Sequence, residues 1–144
     1  MMSYKDCTEK SQHPKKVLRD KGSKSCFEID NPSRREFTIT RVDGCMIQGH
    51  VEKCDYMVGV HEEEEKGVLH LVELKGKKLD KAISQLESTL QRVPEEFERY
   101  RKLCYAITTV IPKGGPRAMK KKVEFERKNS AILKYSTMRY KVTI

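Results

Sequence analysis

The stretch Val68-Leu69-His70-Leu71-Val72-Glu73-Leu74-Lys75-Gly76 constrains this chain more than any other. It opens as an apolar run of the kind found in strands covered on both faces, and it ends on a carboxylate and an amine two residues apart. Strand alternation puts Glu73 and Lys75 on one face, with Leu69 and Leu71 behind them. Charged groups driven to the edge of a core are costly to bury unless they are paired or hold a metal, so this pair needs a physical reason. The tripeptide alone is not the signal. Glu64-Glu65-Lys66 and Glu126-Arg127-Lys128 repeat the Glu-x-Lys spacing in polar runs, where solvent accounts for them.

Around this strand the order of elements can be read from periodicity. Residues 1–25 are polar and without period, and they read as a flexible basic arm with at most one loose helix near Lys15 to Asp20. Residues 26–144 read as a single domain. Phe27 and Ile29 alternate before Asn31-Pro32-Ser33 breaks the pattern, and Glu36 to Ile47 reads as a strand or hairpin with Asp43-Gly44 as a turn. Cys54 to Val60 is a second strand with Asp55 near its start, and His61 to Gly67, with its four consecutive glutamates, is a solvated hairpin loop. After Gly76 the period changes. Leu79, Ala82, Ile83, Leu86 and Leu90 recur at helical spacing, which predicts an amphipathic helix over about 79–92, after which Pro94 closes it or starts a second helical turn. Leu103 to Ile111 is another strand covered on both faces. Arg117 to Lys128 fits a basic helix, although Val123 and Phe125 also fit strand alternation, and Met138 to Ile144 alternates as a terminal strand whose polar face is basic. The succession predicts an α/β (α+β) domain, a mixed central β-sheet flanked by helices.

Charge is distributed unevenly. The net +9 divides into +4 over residues 1–27, −3 over 28–112 and +8 over 113–144. Basic flanks can grip a polyanion while an acidic centre holds a cation, the layout of an enzyme that acts on nucleic acid. Solubility alone also accounts for Lys-rich termini. No apolar run approaches the roughly 20 residues that cross a bilayer, and no apolar leader is visible, so a soluble, intracellular protein without a membrane partner is expected. Cysteines 7, 26, 45, 54 and 104 follow no framework and are expected to be reduced, several of them buried.

Asp55 lies on the strand before Glu73 and is joined to it by a short hairpin, so the two carboxylates can face one point. They repel unless a proton or a cation lies between them, and a hard divalent ion with oxygen ligands satisfies that requirement. Asp55, seventeen intervening residues, then Glu73-Leu74-Lys75 on a strand followed by Gly76 and a helix, resembles the PD-(D/E)xK nuclease superfamily. The resemblance covers roughly residues 36 to 111 and implies a restriction-endonuclease-like fold. It implies that Asp55, Glu73 and the backbone carbonyl of Leu74 coordinate Mg²⁺, with Mn²⁺ as a substitute. By the same resemblance Lys75 orients the attacking water or stabilises phosphate charge, and Gln85 on the following helix supports the site. The chain departs from the family pattern at Cys54, where Pro commonly precedes the Asp, and at Thr89, where recombination-type members carry Tyr. For the upstream acidic residue that many members have, Glu28 and Glu36 are the candidates.

Lys77, Lys78, Lys120, Lys121, Lys122, Arg127 and Lys128 are the candidate phosphate contacts. The function expected is Mg²⁺-dependent endonucleolytic hydrolysis of phosphodiesters, in DNA rather than RNA. One site cuts one strand, so double-strand cleavage requires a homodimer. Other readings are a catalytically silent nucleic-acid-binding subunit of the same fold, a structure-specific nuclease of the Holliday-junction resolvase type, and a metal-free interaction domain in which the charged strand end is a salt bridge. Cys45, His50 and Cys54 suggest part of a zinc site but lack a fourth ligand and a paired Cys-x-x-Cys. His61 reads as a loop residue, and His70 shares parity with Val72 and Leu74, away from Glu73.

Overall fold

The strand at Lys66–Gly76 is the third of four consecutive strands that form the middle of a six-stranded sheet. The computed structural model describes residues 3–20, 22, 24–76, 78–109 and 115–144; of Lys75 and Gly76 it describes the backbone alone. In chain order the strands are β1 (Thr8–Ser11), β2 (Lys15–Arg19), β3 (Cys26–Asp30), β4 (Phe37–Arg41), β5 (Tyr56–Glu63), β6 (Lys66–Gly76), β7 (Arg101–Thr108), β8 (Ile132–Thr137) and β9 (Arg139–Thr143). Helix α1 (Leu79–Leu90) joins β6 to β7, and α2 (Pro116–Asn129) precedes β8. The main sheet runs β1-β4-β5-β6-β7-β8, antiparallel from β1 to β6 and parallel from β6 to β8. A smaller sheet runs β2-β3-β9, with β2 antiparallel and β9 parallel to β3. The fold is mixed α+β, and among the described residues no helix is long and apolar enough to cross a membrane.

Its layers follow from β6. Leu69 and Leu71 pack with Ala82 and Leu86 of α1 and Phe125 of α2, so both helices lie on one face. Val72 and Leu74, of the other parity, pack with Phe27, Ile29 and Leu18 of the small sheet. A strand buried on both faces has no room for alternating polar residues, and this accounts for the unbroken apolar run. His70, within that run, is buried and shares a 2.8 Å hydrogen bond between Nδ1 and the Tyr105 hydroxyl. Burial, with help from the nearby Lys134 charge, pulls its pKa down to about 4, so the ring is neutral. It faces away from Glu73, against Phe27 and Tyr105.

Several expectations are corrected. Residues 8–11 and 15–19 form strands rather than a flexible arm or a loose helix. Neither shows a hydrophobic period, because β1 is a polar edge strand and β2 buries only Leu18; their order comes from pairing with β4 and β3. The glutamate loop is shorter than expected. Strands β5 and β6 continue to Glu63 and from Lys66, leaving Glu64 and Glu65 as the turn, with Glu64 at φ 48°. Gly67 therefore lies inside β6, where a Cβ would collide with the Val60 carbonyl. Strand β8 adds an element between α2 and β9 that the sequence pattern does not announce, since it buries only Leu133. Of the predicted strand end, residues 110 and 111 lie outside the described residues.

Cys7 and Cys45 form a disulfide, against the expectation of five reduced thiols, while Cys26, Cys54 and Cys104 are free and buried. The partners are 38 residues apart in sequence. They meet because Thr8 pairs with Thr40, which brings the start of β1 beside the turn that follows β4. Closing such a loop restricts the unfolded chain, but β1 is an edge strand that can fray alone. Replacing both cysteines with Ala is expected to lower stability by about 2 kcal/mol, at the lower end of the usual range, measured by urea unfolding with and without reductant.

Candidate metal centre

Asp55 and Glu73 are both buried, at 7% and 5% exposure, although each is a carboxylate. Asp55 sits immediately before β5, and its backbone N–H donates to the Val72 carbonyl at 3.0 Å. Its side chain turns toward β6, where Oδ2 accepts the Leu74 N–H at 2.7 Å. That bond fixes one carboxylate against the backbone between Glu73 and Lys75. Beside it the ladder is irregular. Glu73 pairs with Ala106 of β7 and Gly76 with Thr108, so β6 spends one more residue than β7 across this step. A bulge of this kind frees backbone groups from the ladder and turns side chains, and such bulges gather near functional sites.

Helix α1 supplies the second support. With its amide nitrogen turned to satisfy both neighbours, Gln85 donates to Glu73 Oε2 at 2.7 Å and to the Lys81 carbonyl at 3.3 Å. Four residues on, the buried Thr89 hydroxyl donates to the Gln85 carbonyl at 3.0 Å and accepts the Cys54 N–H at 2.8 Å. Thr89 thus ties α1 to the backbone that delivers Asp55. The sequence flagged Thr89 only as a departure from Tyr; nothing local reveals a bond 35 residues away.

The electrostatics follow from this burial. Desolvation first, and then the Asp55 charge and the hydrogen bond to it, push the Glu73 pKa up to about 10. Desolvation raises Asp55 to about 6, opposed by the Leu74 N–H and by the hydrogen bond from Glu73. At neutral pH and without a cation, the pair therefore holds one proton, which lies on Glu73 and is donated to Asp55. Two further carboxylates, Asp20 and Asp43, raise both pKa values through their charge. Neither was singled out from the sequence. Asp20 follows β2, and the Tyr56 hydroxyl donates to the Arg19 carbonyl at 3.0 Å, which anchors that strand end beside the site. Asp43 belongs to the turn after β4, where Val42 N–H donates to the Asp55 carbonyl at 2.9 Å and the Cys7–Cys45 bridge holds the far side.

Glu28 and Glu36, the expected upstream acids, are elsewhere. Glu28 pairs with Lys15 and Lys141 on the small sheet, and Glu36 is exposed beside Lys10. The zinc reading also fails, because Cys45 is in the disulfide, Cys54 is a buried thiol and His50 is exposed. His61 is exposed and bonds the Glu64 carbonyl in the turn. The side chain of Lys75 and the whole of Lys77 lie outside the described residues. Lys78, Lys120 and Arg127 are exposed. Lys121 pairs with Asp80, Lys128 with Glu87 at 3.4 Å, and Lys122 with Glu126 at 2.8 Å. Two of these pairs join α2 to α1, so part of the α2 charge is already occupied in packing the helices.

The donor set suits a hard cation that keeps much of its own shell. Among the described residues no group of three or more His, Cys, Asp or Glu is placed to hold a metal ion. Two carboxylates and a backbone carbonyl at a bulge leave positions for water and phosphate oxygens, which Mg²⁺ accepts and a structural zinc ion does not. The chain matches no family model, no curated protein and no solved structure.

Proposed function

We propose that the chain is a Mg²⁺-dependent nuclease of the PD-(D/E)xK type, with a restriction-endonuclease-like fold, that hydrolyses phosphodiester bonds in DNA. The observation that carries this reading is the pair of buried carboxylates, Asp55 and Glu73, forced to share a proton beside a bulge in β6. A protein gains no stability from such a pair, since a buried acid raised to a pKa of about 10 weakens the fold at neutral pH. A divalent cation resolves the repulsion in place of the proton. The arrangement β4-β5-β6 followed by the α1 crossover to a parallel β7 supports the fold assignment, because it sets the Asp at the start of one strand against the Glu-x-Lys at the end of the next.

In this reading Asp55, Glu73 and the Leu74 carbonyl would hold the ion, which would supply charge for the scissile phosphate and activate water. The protein's own groups prepare the site. Gln85 fixes the rotamer of Glu73, the Leu74 N–H fixes that of Asp55, and Thr89 keeps α1 in register with both. Lys75, two residues after Glu73, is assigned the orientation of the nucleophile or stabilisation of phosphate charge. The four glutamates 62–65 lie at the other end of the β5–β6 hairpin, about 25 Å along the strands, and so do not repel a polyanion from the centre.

The test is incubation with plasmid, single-stranded DNA, RNA and a four-way junction, with Mg²⁺, with Mn²⁺ and with chelator. Nicked plasmid that appears only with divalent metal is expected. Cleavage confined to the junction would move the reading to a resolvase. Salt-sensitive binding with no product under any metal would leave a silent nucleic-acid-binding subunit.

A further inference from the structure

The small sheet carries a charge pattern that the cleavage centre does not use. In register across it stand Arg19, Cys26 and Arg139, then Val17, Glu28 and Lys141, then Lys15, Asp30 and Thr143. Directly opposed residues point to one side of a sheet, and here that is the outer side, because the alternate row of Leu18, Phe27 and Tyr140 packs against the main sheet. Glu28 compensates the cations of the other two rows, with Lys15 at 3.6 Å and Lys141 at 3.9 Å. The Arg19–Cys26–Arg139 row contains two exposed guanidiniums and no carboxylate. Both guanidiniums are open to solvent, where phosphate oxygens can pair with them.

That row lies at the end of the sheet nearest the carboxylates. The Arg19 carbonyl accepts the Tyr56 hydroxyl, one residue from Asp55. On the other side Met138 N–H donates to the Thr108 carbonyl at 2.8 Å, and Thr108 is the β7 partner of Gly76 at the end of the Glu-x-Lys strand. The two arginines stand about 10 Å apart across β3, and their planar forks match phosphate oxygens better than the ion-paired lysines of α2 do.

We propose that the Arg19–Arg139 row is a phosphate-contacting surface that continues the path of the nucleic-acid backbone from the Asp55–Glu73 centre onto the small sheet. This rests on the nuclease reading and adds to it which surface holds the substrate. The measurement is fluorescence anisotropy of a short labelled duplex in chelator, over a series of salt concentrations, with wild type, R19A/R139A, R19K/R139K and K120A/R127A. R19A/R139A is expected to weaken binding about tenfold and to reduce the salt slope by about two units, while the lysine pair keeps most of the slope. The single variants R19A and R139A should each remove about half of that slope, which keeps the test open if the double variant folds poorly. An unchanged slope in R19A/R139A, or a loss carried wholly by K120A/R127A, overturns the assignment while leaving the nuclease reading intact. So does a loss of binding to anionic phospholipid vesicles with duplex binding unaltered. Wild type that binds no nucleic acid at any salt overturns both.

Discussion

Glu73→Gln is expected to reduce cleavage by about three orders of magnitude or more and, at neutral pH, to make the protein more stable than wild type. The two effects have one cause. Glu73 is buried beside Asp55 and keeps its proton far above the ordinary range of a carboxylic acid, so folding at pH 7 takes up a proton that the unfolded chain has lost. Gln is uncharged in both states and can still donate to Asp55, and its shape preserves the contact with Gln85. The gain is on the order of 3 kcal/mol, from a pKa that rises from 4.5 in the unfolded chain past pH 7. Asp55→Ala should be equally inactive but less stable, because it strips the acceptor from the buried Leu74 N–H, at a cost of about 1–3 kcal/mol. Nicking assays and urea unfolding on the same preparations distinguish the two. Glu73→Gln that cuts as well as wild type would place the activity elsewhere. Glu73→Gln that unfolds more readily than wild type would instead give the carboxylate a structural role, as a salt-bridge domain requires.

What could be read in advance divides along physical lines. β6, α1 and β7 were visible because burial imposes a period on their side chains: both faces of β6 are covered, and one stripe of α1 packs on the sheet; α2 buries only Ala118 and Phe125, and its sequence fits strand alternation as well as a helix. The relation of Asp55 to Glu73 was visible too, since a short antiparallel hairpin fixes which residues approach each other. Lys15–Arg19 and Thr8–Ser11 were not, because their order comes from partners such as Asp30 and Thr40 and not from their own pattern. The same holds at the site. Asp20 reaches it through the packing of a second sheet, and Thr89 through a bond to Cys54, and neither leaves a local trace in the sequence. The disulfide belongs to this class, for it depends on β1 pairing with β4. Glu28 shows the converse: an acid in a suitable stretch is drawn off by Lys15 and Lys141 once strand register is set.

The metal-free protein should lose stability as pH rises from 6.5 to 8.5, by about 1.4 kcal/mol per unit, the effect of one proton. The sign follows from the groups involved. In the unfolded chain Glu73 ionises near 4.5, whereas in the folded protein it holds its proton to about 10. Throughout this window the folded state therefore binds more protons, unfolding releases one, and higher pH favours unfolding. Other groups set the limits of the window. Asp55, raised to about 6, contributes the same sign below it and is ionised in both states above. His70, lowered to about 4, contributes the opposite sign between 4 and 6.5, where the unfolded chain is protonated and the folded ring is not. The buried thiols Cys54 and Cys104, pushed up by desolvation, enter only as pH approaches 9.0. Between these limits Glu73 dominates, so Glu73→Gln should flatten the profile. Mg²⁺ should flatten it as well, because a cation that replaces the shared proton binds the folded state more tightly as pH rises and offsets the loss. Urea midpoints at pH 6.5, 7.5 and 8.5, in chelator and in Mg²⁺, measure both. If the wild-type slope persists unchanged in Glu73→Gln, the proton is not on this pair; if it persists unchanged in Mg²⁺, no cation takes its place.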